Sequence, residues 1–213
     1  MICPICQKRK AKRFCPAKGE SICTVCCGTE REVTIDCPSD CPHLLASRGY
    51  YEERRIVDWE KVPFREKRIE RSILEAHEQL FMKLACAICD YARENSALVD
   101  SDVHVVLLAL AETWQTRANG ILYENPPNHR MQGKLYEQLE EVIESYQKSE
   151  KSVLVAVISA RDSEIRDLVI LFAQIASTHS NGRPKGRELL DFLRSQFDPG
   201  TFSRSTPALI VAP

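Results

Sequence analysis

Residues 3–41 read CPICQKRKAKRFCPAKGESICTVCCGTEREVTIDCPSDC, and this stretch decides how the chain begins to fold. It holds eight of the ten cysteines in the 213-residue chain and few large apolar side chains. A segment of this kind does not bury enough apolar surface to fold on its own. We therefore predict that bound metal supplies its stability.

The cysteine spacing predicts a first zinc site. Cys3 and Cys6 form one C-x2-C pair, and Cys23 and Cys26 form another. Each pair can turn back so that both sulfurs face one metal, and Zn²⁺ accepts four such ligands tetrahedrally. Two pairs of this type are a recognised zinc signature.

The cysteines left over predict a second zinc site. They are Cys15, Cys27, Cys37 and Cys41. Neighbouring residues of an extended chain point in opposite directions, so Cys26 and Cys27 can serve different metals. Two alternatives stay open, in which Cys26 and Cys27 exchange roles or His43 replaces Cys41. Eight thiolates fill two tetrahedra and leave no position for a catalytic water, so both zinc ions are predicted to be structural.

The cysteine content also bears on location. The chain runs from Met1 directly into Cys3, leaving no room for a secretory signal, and we expect a cytoplasmic protein. A reducing compartment favours metal thiolates over disulfides or free thiols. No stretch approaches the roughly 18 apolar residues of a membrane span, so no membrane contact is predicted.

Composition divides the chain into four parts. Residues 1–48 form the predicted double-zinc module, 49–63 a charged connector, 64–198 a helical bundle and 199–213 an extended tail. Apolar residues recur at helical spacing in the third part. One helix is predicted after Pro63, a second from Ser101, a third after Pro127, a fourth from Asp162 or Ser163, and a short fifth over 188–197. The valine-rich run 152–159 suits a strand or a helix, and we favour a helix.

The predicted fold class is therefore all-α, an antiparallel bundle of four or five helices preceded by a small irregular double-zinc module. The helical part carries no Gly-rich phosphate loop, nucleophile elbow or catalytic triad, so nothing argues for an enzyme. A net charge of −1 also gives the whole molecule no field that would concentrate nucleic acid.

Four segments resemble a group of bacterial zinc-binding proteins to which no function is assigned. They are CPICQKRKAKRFCP (3–16), CCGTEREVTIDCPSDCPHL (26–44), ETWQTRANGILYENPP (112–127) and NGRPKGRELLDFLRSQF (181–197). The resemblance spans most of the chain and implies no activity. The zinc segment is also similar to HIT-type and other cross-brace zinc fingers, which mostly serve protein assembly. It departs from the HIT pattern because Lys18 stands where a cysteine is expected and because Cys26 and Cys27 are a doublet.

A basic loop lies between the first zinc ligands and offers a possible nucleic-acid contact. Its cations are Lys8, Arg9, Lys10, Lys12 and Arg13. Such a loop can bind phosphates, but the same charges also serve simply to keep a small module soluble. Residues 1–55 carry ten basic and seven acidic side chains, a mild excess, and only Phe14 offers a ring for stacking.

Other candidate residues have competing interpretations. Cys86 and Cys89 share one helix face and could bind metal or act in redox chemistry, but small core residues are favoured. His77 and His104 are expected to be ordinary packed or surface residues. A cluster of three cations before the last predicted helix could bind an anion, although surface cations are favoured. They are Arg183, Lys185 and Arg187. The tail 206–213 could cover the chain's own bundle or add a strand to a partner.

These features predict a zinc-binding adaptor or regulatory protein that acts by protein–protein recognition. Zinc would fix the loops 8–13 and 28–35 so that little ordering entropy is lost on docking. The alternative is a nucleic-acid-binding regulator that uses the basic loop. A third hypothesis is a redox or metal-dependent enzyme that uses Cys86, Cys89 and a histidine.

Overall fold

The structure of the protein, a computed structural model, describes residues 1–151, 160–198 and 201. Two short strands come first, β1 (Arg13–Cys15) and β2 (Glu20–Ile22). A 3-10 turn spans Trp59–Lys61. The α-helices of the described residues are α1 (Thr24–Thr29), α2 (Pro42–Glu52), α3 (Arg71–Ala76), α4 (Glu78–Glu94), α5 (Asp100–Ala118), α6 (Arg130–Lys151), α7 (Asp162–His179) and α8 (Glu188–Ser195).

Residues 1–41, called the Cys-rich module below, contain the only strands among the described residues. β1 pairs antiparallel with β2, so that Arg13 lies opposite Ile22 and Cys15 opposite Glu20. Gly19 takes a φ of +67° in the turn between them, which glycine adopts without steric cost. This hairpin was not predicted from the sequence.

The main apolar core lies among helices α4 to α8. Leu80, Leu84 and Ile88 recur every four residues on α4 and are fully buried, as an amphipathic helix requires. Trp114 of α5 and Phe172 of α7 are the largest fully buried side chains. α5 packs against both α6 and α7, and α4 packs against α6 and α8. The helical stripes predicted from the sequence therefore form one common core.

The helix predicted after Pro63 differs from the structure. It begins only at Arg71 and is interrupted at His77, whose φ of −121° and ψ of 27° are not helical. The His77 ring is buried, with Nδ1 3.4 Å from the Tyr146 hydroxyl and Nε2 3.8 Å from a Glu164 carboxylate oxygen. His77 is thus a packed residue, as expected, and it divides α3 from α4.

The predicted fold class is confirmed in its coarse form. The described residues are mostly helical, and a four-cysteine cluster lies near the N-terminus. The antiparallel order of a four- or five-helix bundle stays a prediction, as do the four domain boundaries. The predictions for 152–159 and for the tail 206–213 fall outside the described residues.

The Cys-rich module is docked on the segment 181–187, between α7 and α8. The Lys185 backbone N–H donates to the Glu32 carbonyl at 2.8 Å, and its ammonium group donates to the Thr34 carbonyl at 3.0 Å. Arg183 donates to the carbonyls of Gly28 and Arg31. The three cations that were candidates for an anion site therefore hold the module, since Arg187 also pairs with Asp36.

Arg48 of α2 links the module to α8. Its guanidinium donates to Glu32 at 2.9 Å and to Asp191 of α8 at 2.6 Å. The Glu32 side chain is 2% exposed and also accepts a hydrogen bond from the Asn181 amide at 2.9 Å. Glu32 has a φ of +52°, which is uncommon for a non-glycine residue. A strained and fully partnered residue therefore sits at the centre of the docked contact.

Asp100, at the start of α5, holds the first turn of α8. Its carboxylate accepts hydrogen bonds from the backbone N–H groups of Leu189 at 3.0 Å and Leu190 at 3.2 Å. Its own backbone N–H donates to the Gly186 carbonyl at 2.9 Å. A carboxylate at a helix N-terminus satisfies free N–H groups and complements the helix dipole.

Asp100 gives the fold a specific pH dependence. Burial raises its pKa to about 7, although the two backbone hydrogen bonds oppose the shift. An aspartate in an unfolded chain titrates near about 3.9. Between these values the folded protein holds a proton that the unfolded chain has lost, so this contribution to the free energy of unfolding falls as the pH rises. Between about pH 5 and about pH 8, we expect the free energy of unfolding of the wild type to fall by about 2 to 4 kcal/mol more than that of Asp100→Asn.

Urea unfolding of both proteins at about pH 5 and about pH 8 checks this prediction. The comparison uses the difference between the two proteins at each pH, so the titration of other groups cancels. The same pH slope in wild type and Asp100→Asn would contradict it.

No helix among the described residues is both long enough and apolar enough to cross a membrane.

Candidate metal centre

Four cysteine sulfurs converge in the Cys-rich module. The Sγ atoms of Cys3, Cys6, Cys23 and Cys26 all lie within 4.8 Å of one another. Cys3, Cys23 and Cys26 are buried and Cys6 is half-buried. This is the first ligand set predicted from the spacing, and the structure brings it together as a group that could hold one metal ion.

The first C-x2-C pair is shaped by a tight turn. Gln7, directly after Cys6, has a φ of +50°, and its N–H donates to the Cys3 carbonyl at 2.8 Å. The chain then turns so that the backbone N–H groups of Lys8 and Arg9 point at the Cys6 sulfur, which lowers the pKa of that thiol to about 6. The turn therefore prepares Cys6 as a thiolate, the form that binds metal.

The second pair belongs to the start of α1. The Cys23 sulfur accepts a hydrogen bond from the Cys26 N–H at 3.3 Å and so caps the helix. The hairpin carries Cys23 back toward the N-terminus, because the Lys12 N–H donates to the Ile22 carbonyl at 2.9 Å. The Cys6 and Cys23 sulfurs are then 3.9 Å apart.

The pKa values of Cys3 and Cys26 show how the cluster would respond to a bound cation. Burial opposes ionisation of Cys3, but backbone N–H groups of Cys6, Cys23 and Ile5 outweigh it and lower the pKa of the Cys3 thiol. Burial and the three neighbouring cysteines have the opposite effect on Cys26, raising its pKa to about 12. Four thiolates repel one another at this distance, and a divalent cation removes that repulsion. The chemistry of the donor set therefore fits a thiophilic metal.

The second predicted ligand set is only partly assembled. Burial raises the pKa of the Cys37 thiol, and the charges of Cys41, Glu32 and Cys15 act in the same direction. Cys15 lies in the buried core of the module, and Cys27 and Cys37 pack against that core. Cys27, the fourth, lies beside two guanidinium groups, with Arg13 at 3.7 Å and Arg31 at 3.8 Å from its sulfur. Within the described residues, no second group of three or more ligand atoms from His, Cys, Asp or Glu lies within 4.8 Å of one another.

None of the remaining candidates belongs to the four-cysteine group found among the described residues. His43 is half-buried in the first turn of α2, where Pro42 begins the helix. Cys89 is fully buried in the helical core, and Cys86 donates to Asp90 at 3.7 Å. Cys89 is thus a core residue, as favoured from the sequence. Half-buried His104 has a buried Nδ1 without a hydrogen-bond partner in the described part of the chain.

The basic loop lies on the outside of the module. Lys8, Arg9, Lys10 and Lys12 are exposed, and within the described residues none of them forms an ion pair. Arg13 differs from the prediction, because it is half-buried and turns toward Cys27. Four of the five predicted cations are therefore accessible to a binding partner.

The segment 28–35 is only partly exposed. Arg31, Glu32 and Ile35 are each less than a tenth exposed, whereas Thr29, Val33 and Thr34 lie at the surface. The contacts of Glu32 with Asn181 and of Arg48 with Asp191 were not predicted, because no local pattern marks a contact between residues so far apart in the chain.

Comparisons with protein-family models, with curated proteins and with solved structures find no match to this chain. The resemblance to bacterial zinc-binding proteins and to cross-brace fingers therefore stays a prediction, and the four-cysteine cluster is what supports it.

Proposed function

We propose that this chain is a cytoplasmic zinc-binding adaptor or regulatory protein, in which zinc is structural and the Cys-rich module presents a recognition surface to a protein partner. The observation that carries the proposal is the convergence of Cys3, Cys6, Cys23 and Cys26 within 4.8 Å. An all-cysteine set fills a tetrahedral zinc site and leaves no position for a reacting water. Such a metal acts through the shape that it imposes on the surrounding loops.

A second zinc ion is part of the proposal, with Cys15, Cys27, Cys37 and Cys41 as ligands. Arg13 and Arg31 support Cys27 in this role, because cationic groups beside a metal-bound thiolate balance its charge. The Glu32 N–H that points at Cys37 gives that sulfur a similar partner.

Exposed apolar side chains on the module support a protein partner. Met1 is 93% exposed, Ile2 67% and Phe14 59%. Ile2 pairs with Lys10 in an isolated β-bridge, so these apolar residues lie beside the basic loop. Apolar side chains that are rimmed by charges are typical of protein interaction sites. We infer that this face of the module docks the partner.

The metal content of purified protein tests the proposal. We expect two zinc ions per chain by mass spectrometry of protein purified without added zinc. Cys3→Ser and Cys37→Ser should each lose one ion, because they fall in different sites. Cys86→Ser is the matched control and should keep both. Protein without bound zinc would overturn the proposal, and a single ion that Cys37→Ser retains would remove the second site.

A nucleic-acid-binding regulator is the second candidate function. The observation that favours it is the group of four exposed cations at Lys8, Arg9, Lys10 and Lys12, for which the described residues offer no carboxylate partner. Phosphate contacts release counter-ions, so binding to an oligonucleotide should weaken by about tenfold or more between about 50 and 200 mM salt. Binding that Lys8→Gln/Lys12→Gln leaves unchanged would count against the candidate.

A further inference from the structure

A cavity of about 310 Å³ lies where the Cys-rich module, the end of α2 and the segment 181–187 meet. This volume is at the lower end of the range of about 300 to 1,000 Å³ that small-molecule sites occupy, and such sites are common at junctions between units. Guanidinium groups dominate its lining: Arg31, Arg48, Arg54, Arg55 and Arg183.

The lining carries more positive than negative charge. Only two carboxylates line the cavity, Glu32 and Glu188, against five guanidinium groups. Both carboxylates are already engaged, Glu32 with Arg48 and Glu188 with Arg55. The lining itself therefore has three more cations than carboxylates. Arg48 also pairs with Asp191 and Arg54 with Glu53, both outside the lining, which leaves one positive charge in excess.

Two of these arginines have no carboxylate partner in the described residues. Arg31 is 8% exposed, and its side chain donates to the Cys27 sulfur at 3.8 Å. Arg183 donates to the Gly28 carbonyl at 3.4 Å and to the Arg31 carbonyl. Buried charged side chains are almost always paired with an opposite charge. An anion in the cavity would supply the charge that Arg183 lacks, and it would give Arg31 a second negative partner besides the Cys27 sulfur.

Arg48 offers an unused donor at the same place. Its two terminal nitrogens donate to Glu32 and Asp191, but its Nε is buried and has no hydrogen-bond partner in the described part of the chain. A buried polar group without a partner is rare in folded proteins and calls for an explanation. An oxyanion has several acceptor positions and could accept this hydrogen.

The mouth of the cavity is apolar and aromatic. Tyr51 is 61% exposed and Ile56 is 92% exposed, and both line the opening. Tyr51 packs edge-to-face on Tyr50 with 5.7 Å between ring centroids, and Arg54 stacks on Tyr50 at 4.0 Å. The Tyr51 ring is thus held in place while much of its surface remains open. A planar base stacks favourably on such a ring.

We propose that this cavity binds a mononucleotide, with the phosphate held by Arg31, Arg54 and Arg183 and the base on Tyr51. The planar guanidinium group matches the geometry of phosphate oxygens and can bind two of them at once. The site is separate from the exposed basic loop. It gives the protein a small-molecule ligand that is additional to the partner proposed above.

Calorimetric titration of the full chain with its metal tests the proposal, with AMP and pyrophosphate as probes. We expect both probes to bind, and Arg54→Gln to weaken both by about tenfold, because a charge-assisted hydrogen bond is lost. Tyr51→Ala should weaken AMP by about tenfold and leave pyrophosphate unchanged, because only AMP has a base to stack. Arg68→Gln, an exposed arginine that does not line the cavity, is the matched control and should change neither.

Three results would overturn the proposal. They are the absence of binding by AMP and pyrophosphate, equal weakening by Arg54→Gln and Arg68→Gln, and binding of a short single-stranded oligonucleotide without binding of AMP. The zinc content and melting temperature of each variant are measured in parallel. Loss of AMP binding in a variant with unchanged zinc content separates this site from the zinc-dependent function.

Discussion

Chelation of the metal is expected to unfold the Cys-rich module while α4 to α7 keep their structure. Besides its cysteines, the core of the module buries only Ile22 and Ile35. That area supplies little stability, whereas structural zinc binding contributes about 10 to 16 kcal/mol in small zinc modules at neutral pH. The helical core is separate and buries many large apolar side chains, so it should survive.

Hydrogen exchange before and after chelation measures this effect residue by residue. Amide protection in residues 1–41 should collapse to that of an unfolded chain, and protection in α5 and α7 should persist. Far-UV circular dichroism should fall only slightly, because the single helix of the module, α1, has six residues. Cys26→Ser, which removes a ligand of one of the two proposed ions, should reproduce part of the change without chelator, and Cys86→Ser should not. Loss of protection throughout α5 and α7 would contradict a separable module.

Arg48→Met is expected to cost about 3 to 5 kcal/mol in the free energy of unfolding. The substitution keeps an apolar stem but removes the charge between Glu32 and Asp191, whose distances to the guanidinium are 2.9 and 2.6 Å. Glu32 is 2% exposed, so it would remain as a buried carboxylate with only the Asn181 amide as a side-chain donor. An uncompensated buried charge is among the most destabilising changes in a protein.

Urea unfolding with a double-variant cycle checks the origin of this loss. Arg48→Met/Glu32→Gln removes both charges and should recover part of the stability, because no unpaired carboxylate is left. Arg71→Met is the matched control. It breaks the pair with Glu75 on α3, where the side chains are 89% and 65% exposed, and should cost about 0.5 kcal/mol or less. Equal losses for the two arginines would show that Glu32 is not stabilised by Arg48.

The helices and the first ligand set could be predicted because their signals are local. The stripe of Leu80, Leu84 and Ile88 repeats within a few residues, and two C-x2-C pairs carry their geometry in their spacing. The break at His77 could not be predicted, because apolar spacing continues across it. β1 and β2 have three residues each, too few for an alternating pattern.

The docking of the module could not be read from the sequence for a different reason. Arg183, Lys185 and Arg187 resemble any turn rich in cations, and their partners lie about 150 residues earlier in the chain. Several of those partners are backbone carbonyls, which every residue possesses. Nothing in a carbonyl distinguishes Thr34 or Gly28 from its neighbours until the fold has brought the cation to it.

The separation in sequence between Thr34 and Lys185 also determines the order in which the docked parts are synthesised. Lys185 follows Thr34 by 151 residues, which at about 5 to 20 residues per second corresponds to a delay of about 8 to 30 s. The Cys-rich module therefore leaves the ribosome, and can capture its metal, before its docking segment has been made. During this interval Asn181 is not yet available to donate to the Glu32 carboxylate, and Asp191 is not yet available to pair with Arg48. In the function proposed above, metal capture can therefore precede the contacts that the segment 181–187 makes with the module.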